Sequence, residues 1–296
     1  MSKITIKGFN SGKGASFREF VSLPLETLLD YDDEKATSTT LKFFDDSKNY
    51  MTFGGKGLKY EYVDGYVYGA TAGTITSFKV VSDGVALVAA TDLKISAKAV
   101  SAAVESGSTA KFINAVLAGN DVIKATGRAD VFWGGAGNDT LYGYNGNDTI
   151  SGGAGADKLY GGNGNDTLKG DGGKDKLYGG AGADKLYGGS GADTFVFTST
   201  KDSTVGASGR DKIYDFSRSQ GDKIDLKAID ANSKAGGNQA FKFIGNDDFH
   251  GKAGELRFQK KSGDTCVYGD VNGDGKADFS IVLDPSLSLT KGDFIL

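Results

Sequence analysis

Between Gly134 and Val196 an apolar residue returns at every ninth position: Leu141, Ile150, Leu159, Leu168, Leu177, Leu186 and Phe195. The segment divides without a gap into seven blocks of nine, beginning at Gly134, Gly143, Gly152, Gly161, Gly170, Gly179 and Gly188. Position 4 is always Gly and position 6 always Asp, whereas position 2 is Gly in five blocks and Tyr144 or Asp171 in the other two. The six Gly- and Asp-rich residues predict a tight turn. The last three predict a short strand with one inward side chain between two outward ones. Such a strand buries its apolar residue only if further coils stack on it. The frame runs back in degraded form through Gly119, Asp121 and Ile123, and through Asp130 and Phe132.

Elsewhere the pattern is less regular. Ile4 to Ile6, Leu41 to Phe44, Leu58 to Val63 and Thr74 to Val80 alternate and read as strands. Ser108 to Leu117 reads as a short helix capped by Ser108. The chain is therefore divided into a β-rich N-terminal domain of unknown function at 1–115, a repeat domain at 116–196 and a third domain at 197–296.

Composition narrows the class. Gly accounts for 46 of 296 residues but Pro for only 2, and with no G-X-Y period a collagen is excluded. A net charge of −4 gives no footprint for nucleic acid. Apolar and aromatic residues are too common for a disordered chain. One cysteine, Cys266, allows no internal disulfide. Met1 to Phe20 has no apolar core of a secretory signal, and the longest apolar stretch, Val85 to Ala90, is too short to span a bilayer.

The blocks carry the chemistry. Glycine tolerates positive φ, so carbonyls can converge in a tight turn, and an Asp at fixed offset adds a carboxylate beside them. Carbonyl and carboxylate oxygens are the hard ligands that calcium prefers. The candidate ligands are Asp139, Asp148, Asp157, Asp166, Asp175, Asp184 and Asp193. With them go the turn glycines Gly135, Gly137, Gly146, Gly153, Gly155, Gly162, Gly164, Gly173, Gly180, Gly182, Gly189 and Gly191.

These blocks resemble the RTX, or haemolysin-type calcium-binding, repeat G-G-x-G-x-D-x-U-x, with U apolar. The resemblance implies an all-β fold: a parallel β-roll with two blocks per turn and calcium between loops on the same edge. Blocks eighteen residues apart would then share an ion. The pairs are Asp139 with Asp157, Asp148 with Asp166, Asp157 with Asp175, Asp166 with Asp184, and Asp175 with Asp193. That implies about five Ca2+ ions, with two weaker sites at Asp121 and Asp130. On one outer face Tyr142, Tyr160 and Tyr178 would form a ladder beside Lys158 and Lys176. On the other lie Thr149, Thr167 and Lys185, with Ser151, Lys169 and Tyr187. A tyrosine ladder with lysines suits an extracellular polysaccharide; strand packing and solubility account for the same residues.

Gly209-Arg-Asp-Lys-Ile-Tyr-Asp-Phe216 and Gly221-Asp-Lys-Ile-Asp-Leu226 resemble the domain that follows the repeats in serralysin-type metalloproteases and alginate epimerase modules. There it closes the roll and carries the export signal, so 197–296 is expected to be a β capping domain. Asp211, Asp215, Asp222 and Asp225 are candidates for one further ion, with ordinary turn roles as the alternative. Asp270, Asn272, Asp274 and Asp278 match an EF-hand loop, but its twelfth position is Ile281 rather than Glu. A hairpin loop is expected there, with weak calcium binding as the alternative. Asp293-Phe-Ile-Leu296 resembles the uncleaved C-terminal signal of type I secretion.

Calcium links this fold to a role. Extracellular modules bind with Kd of about 10⁻⁴ to 10⁻³ M, so calcium at about ten times Kd adds ~1.4 kcal/mol per site and ~7 kcal/mol for five. Inside the cell that contribution vanishes, and an unfolded chain can be threaded through a secretion channel. The expectation is a secreted, extracellular, non-enzymatic binding, matrix or host-interaction protein. Its partners would be calcium, the type I secretion machinery and an extracellular polysaccharide, with no nucleic acid and no transmembrane segment. The alternatives are a polysaccharide-acting enzyme with its site in 1–115 and a membrane-active pore-former. The lone histidine, His250, is expected in a turn and Cys266 in a packed strand, and no H-E-x-x-H motif exists. Two-carboxylate chemistry needs no histidine and would draw on Glu26, Asp30, Asp32, Asp33, Glu34 and Glu61.

Overall fold

The computed structural model describes residues 118–296, apart from 126 and 285, together with the backbone of six strands between residues 2 and 96. Two units are distinguished, Met1–Leu141 and Tyr142–Leu296. In the first, β1 (Ser2–Ile6), β2 (Asp33–Ala36), β3 (Thr40–Phe44), β4 (Tyr50–Val63), β5 (Tyr66–Ser82) and β6 (Val85–Ser96) pair in the order β2-β3-β4-β5-β6-β1. Each of these pairs is antiparallel. β7 (Asp121–Lys124) adds to β1 in parallel, and β8 (Val131–Ala136) follows it in the chain. The four alternating segments fall on β1, β3, β4 and β5. β4 and β5 run to 14 and 17 residues because bulges, one at Gly54/Gly55, carry the ladder past the glycines that break the alternation. The helix expected over Ser108 to Leu117 lies outside the described residues.

In the second unit the coils are β9 (Thr140–Asn145), β10 (Thr149–Ala154), β11 (Lys158–Asn163), β12 (Thr167–Gly172), β13 (Lys176–Ala181), β14 (Lys185–Tyr187) and β15 (Thr194–Val196). From β10 to β13 each pairs in parallel with the strand two further on, in a register of eighteen residues: Thr149 with Thr167, Leu159 with Leu177, Leu168 with Leu186, Leu177 with Phe195. Alternate blocks therefore build opposite sheets of a parallel β-roll. Ile150, Leu159, Leu168, Leu177, Leu186 and Phe195 fill the space between the sheets and are fully buried. One expectation is corrected. The fuller strands are six residues long, not three, and continue through positions 1 to 3 of the next block. Glycine-rich backbones in identical conformations can pair as closely as the strand proper, so Gly162 pairs with Gly180 and Asn163 with Ala181.

The remaining strands are β16 (Lys212–Ile213), β17 (Lys223–Asp225), β18 (Lys242–Phe243), β19 (Glu255–Lys261), β20 (Asp264–Asp270), β21 (Phe279–Leu283) and β22 (Phe294–Ile295). β16 continues the register of β14, with Ile213 beside Leu186, and β17 continues β15, with Ile224 beside Phe195. β21 lies parallel to β16 and β22 parallel to β17, so both sheets of the roll are covered at this end. An antiparallel β19-β20-β21 meander buries Leu256, Val267, Phe279, Ile281 and Leu283. Phe241 meets Phe279 edge-on at 5.7 Å. Among the described residues there is no α-helix, and no helix is long and apolar enough to cross a membrane.

Candidate metal centre

Two loop edges join the sheets of the roll, and the position-6 aspartates line them. Each donates its backbone N–H to the Oδ1 of the aspartate eighteen residues on: Asp148 to Asp166, Asp157 to Asp175, Asp166 to Asp184 and Asp175 to Asp193, at 2.8–2.9 Å. These carboxylates are at most 1% exposed. The Oδ2 atoms of Asp166, Asp175, Asp184 and Asp193 are buried with no hydrogen-bond partner. No ion pair among the described residues reaches them. Burial pushes the carboxyls of Asp166 and Asp193 up to about 6 and those of Asp175 and Asp184 up to about 7.

The glycines give each carboxylate its place. Positions 2 and 4 of the coils have positive φ, from +92° at Gly189 to +148° at Gly182, and this turns their carbonyls onto the next coil. A Cβ at Gly182 would lie 1.8 Å from the carbonyl oxygen of Gly164, and one at Gly180 2.2 Å from that of Gly162. Two non-glycine residues hold the same conformation: Tyr144 at +74° and Asp171 at +69°. Their carbonyls still abut Gly162 and Gly189. The exceptions in sequence are thus not exceptions in backbone, and the strain of the left-handed region is accepted to keep the column of carbonyls.

Sequence reasoning passed over position 1. Gly161, Gly170, Gly179 and Gly188 leave a cradle that a Cβ would fill, placing it 2.3–2.5 Å from the bare Oδ2 of the same block. Their invariance was the available signal. Also missed were Asp211 and Asp222 as members of the ladder. Asp184 donates to Asp211 Oδ1 at 2.9 Å and Asp193 to Asp222 Oδ1 at 3.0 Å, across 27 and 29 residues instead of 18. The Asp-Lys-Ile triplets that they begin repeat positions 6 to 8; Asp211 keeps the nine-residue frame, whereas Asp222 lies two residues off it.

The donor set fits calcium by its chemistry. Bare carboxylate oxygens alternate with carbonyls, all are hard oxygen ligands, and an ionised carboxylate buried without a counter-charge costs several kcal/mol. No group of three or more His, Cys, Asp or Glu among the described residues could hold a metal by side chains alone, so main-chain oxygens would have to complete any such site.

The other candidates fall apart from this centre. Asp270 accepts from the N–H groups of Asn272, Gly273 and Gly275, and Asp278 from Val271 and Asn272, so the EF-hand-like segment is a self-satisfied loop between β20 and β21. Asp215 accepts from Gly188 and Gly189, and Asp225 from Lys227. Cys266 is buried in β20. His250 Nδ1 lies 2.9 Å from the buried Glu255. Burial alone would raise the Glu255 carboxyl, but hydrogen bonds from the His250 N–H and ring outweigh it and hold it low. Tyr142, Tyr160 and Tyr178 stack at 4.8 and 4.4 Å between ring centres. Phe294 is buried and Asp293 pairs with Arg218 at 2.9 Å.

Solved structures similar to the chain include two subunits of the Azotobacter vinelandii mannuronan C5-epimerase. The AlgE6R3 subunit is 25% identical over 60% of this chain and 78% of that one, with a TM-score of 0.27. The AlgE6R2 subunit is 26% identical over 57% and 92%, with a TM-score of 0.32. The extracellular lipase LipA of Serratia marcescens is 15% identical over 60% and 40%, with a TM-score of 0.24. No curated protein matches the chain. The family model "Peptidase M10 serralysin C terminal" matches residues 103–296, which is the repeat-bearing part of serralysin and not its catalytic domain. By that match over most of its length, and by its parallel roll, the chain belongs to the serralysin C-terminal, RTX-type family.

Proposed function

We propose that this protein is a secreted calcium-binding RTX protein, folded by calcium outside the cell, which acts as a binding, matrix or host-interaction component and not as an enzyme. The observation that carries this reading is the column of buried, unpartnered Oδ2 atoms at Asp166, Asp175, Asp184 and Asp193. Asp157 with Asp175, Asp166 with Asp184, and Asp175 with Asp193 would hold ions, helped by the carbonyls at positions 2 and 4. Asp139 with Asp157 and Asp148 with Asp166 extend the set to about five. Bound calcium supplies the positive charge that these rows of carboxylates lack. The chain's own part is to fix the carboxylates through the ladder of N–H donors and to keep water out with the leucine stack. Without the ion, the rows repel and burial opposes their charge. That suits a chain passed unfolded through type I secretion machinery, the export route of RTX proteins. A titration of the full chain by circular dichroism tests it. Calcium near millimolar should raise the β signal cooperatively and equimolar magnesium should not; a full β signal in chelator, unchanged by calcium, overturns it.

A polysaccharide partner is favoured at one place. Along the even-block face lies a cavity of about 480 Å³ lined by Lys169, Asp171, Lys185, Tyr187 and Asp215. Tyr187 stacks on Tyr214 at 4.7 Å on one side and meets the Lys169 ammonium at 5.9 Å. An aromatic face ringed by charged hydrogen-bonding groups suits the apolar face and hydroxyls of a sugar. The tyrosines of the odd-block face, by contrast, cover one another's rings. Glycan binding that survives Tyr187→Ala would sink this second reading.

A further inference from the structure

We propose that Tyr160 and Tyr178 form a site of oxidative cross-linking, at which a peroxidase-type oxidant joins their rings as dityrosine and fastens two coils of the roll together. The site needs only the geometry of the coils. Its use, holding them when calcium falls, rests on the calcium reading above.

Tyr160 and Tyr178 hold the same place, position 9, in blocks eighteen residues apart. β11 and β13 pair them directly, with Leu159 against Leu177 before them and Gly162 against Gly180 after. Both leucines are fully buried, so each tyrosine is fixed from within the roll. The rings stack at 4.4 Å between centres and 18° between planes. That is closer than the usual spacing of neighbouring strands, about 4.7–4.9 Å. Both rings are half-buried and keep an edge open to solvent. Burial, the neighbouring hydroxyls and a hydrogen bond with Tyr178 push the Tyr160 phenol up to about 12, so at neutral pH its oxidation removes a proton along with the electron. Tyr142 stacks on Tyr160 at 4.8 Å, and Tyr144, 46% exposed, stacks on Tyr142 at 6.1 Å. An electron taken at Tyr144 can thus be replaced, ring by ring, from the buried end of the column.

The chemistry balances with hydrogen peroxide as the oxidant, acting through a haem peroxidase. Each phenol gives up one electron and its hydroxyl proton. The two phenoxyl radicals then pair their electrons in a carbon–carbon bond between ring positions ortho to the oxygens. The hydrogen on each of those carbons leaves as a proton, and a proton returns to each oxygen, which restores two phenols. Peroxide takes up the two electrons and two protons and becomes two waters. Rings already held face to face need no search for a partner.

The other stacked pair shows why the inference stops here. Tyr187 and Tyr214 lie at 4.7 Å, but the Lys169 ammonium sits 5.9 Å from the first ring and that of Lys212 5.1 Å from the second. A cation over a ring opposes the removal of an electron from it. No ammonium among the described residues lies over Tyr160 or Tyr178. The bond between these two closes a loop in the unfolded chain, and so keeps neighbouring coils in register when calcium is withdrawn.

The test treats the full chain, folded in calcium, with hydrogen peroxide and a haem peroxidase. Dityrosine fluorescence should appear in the monomer at a rate independent of protein concentration. Trypsin should release Leu159–Lys169 joined to Leu177–Lys185, two hydrogens lighter than their sum. Tyr160→Phe and Tyr178→Phe, which keep the stacked rings, should each lose that joined pair, and Tyr142→Phe should keep it. Absence of the joined pair from the oxidised, folded chain overturns the inference, as does coupling only between molecules. The same treatment in chelator separates the site from the reading beneath it. Coupling lost there supports calcium-driven coils; coupling undiminished there leaves the site standing and contradicts the calcium-driven fold.

Discussion

In the coils, Asp166, Asp175, Asp184 and Asp193 each leave one buried oxygen bare, whereas Asp215, Asp222, Asp270 and Asp293 of the cap have both oxygens satisfied by the protein itself. Asp215 and Asp222 take backbone donors on each side. Asp270 is wrapped by three N–H groups of its own loop, and Asp293 by Arg218 and Thr290. Two regions built on one register thus differ in what completes them. The cap carries donors for Asp215, Asp222, Asp270 and Asp293 and a meander core of its own. The coils have glycine where donors would have to stand, and their fold is conditional on a charge from outside.

Removing calcium should break the comparison most visibly. In chelator the full chain should lose ~7 kcal/mol of resistance to urea, if five sites are saturated at about ten times Kd. Next is the leucine stack. Leu168→Ala, at a position with no exposure, should cost roughly 2–5 kcal/mol in urea unfolding with calcium present. Asp175→Asn touches two of the expected ion pairs and should cost ~3 kcal/mol in calcium but nothing in chelator. Asp270→Asn is its counterpart in the cap: it should cost about 1–3 kcal/mol with or without calcium, because it removes acceptors for N–H groups and not a ligand. The smallest effect is on pH. The folded-state values of Asp175 and Asp184, about 7, and of Asp166 and Asp193, about 6, lie above the usual 3.8. The metal-free roll therefore binds more protons than the unfolded chain, and its stability is present below pH 4 and lost as pH rises through 6 to 7. Calcium-loaded protein should run the other way, since its ligands must be deprotonated. Melting temperatures from pH 4 to 8, with calcium and with chelator, check both slopes.

The roll was legible because its constraints are local and repeated. Leu159, Leu168 and Leu177 mark the core, and Asp157, Asp166 and Asp175 mark the loop edge, each by period alone. What sequence left hidden has physical causes. Strand length was underestimated because glycine at positions 1 and 2 has no strand propensity of its own and is held by the coil beside it. Tyr144 and Asp171 read as defects because a left-handed backbone leaves no mark except glycine. Asp222 escaped as a ladder member because it lies two residues off the nine-residue frame, although Asp-Lys-Ile repeats the end of a block. The acids from Asp270 to Asp278, expected in a hairpin loop, close the turn between β20 and β21.

Hydrogen–deuterium exchange on the full chain, with calcium and with chelator, tests the central claim most directly. The account predicts that amides of the coils, such as Asp166, Lys176 and Lys185, exchange slowly in calcium and lose protection in chelator, while Phe258, Val267 and Ile281 of the meander keep most of theirs. Equal protection of coils and cap in both conditions would contradict it, because the coils would then be held by packing alone.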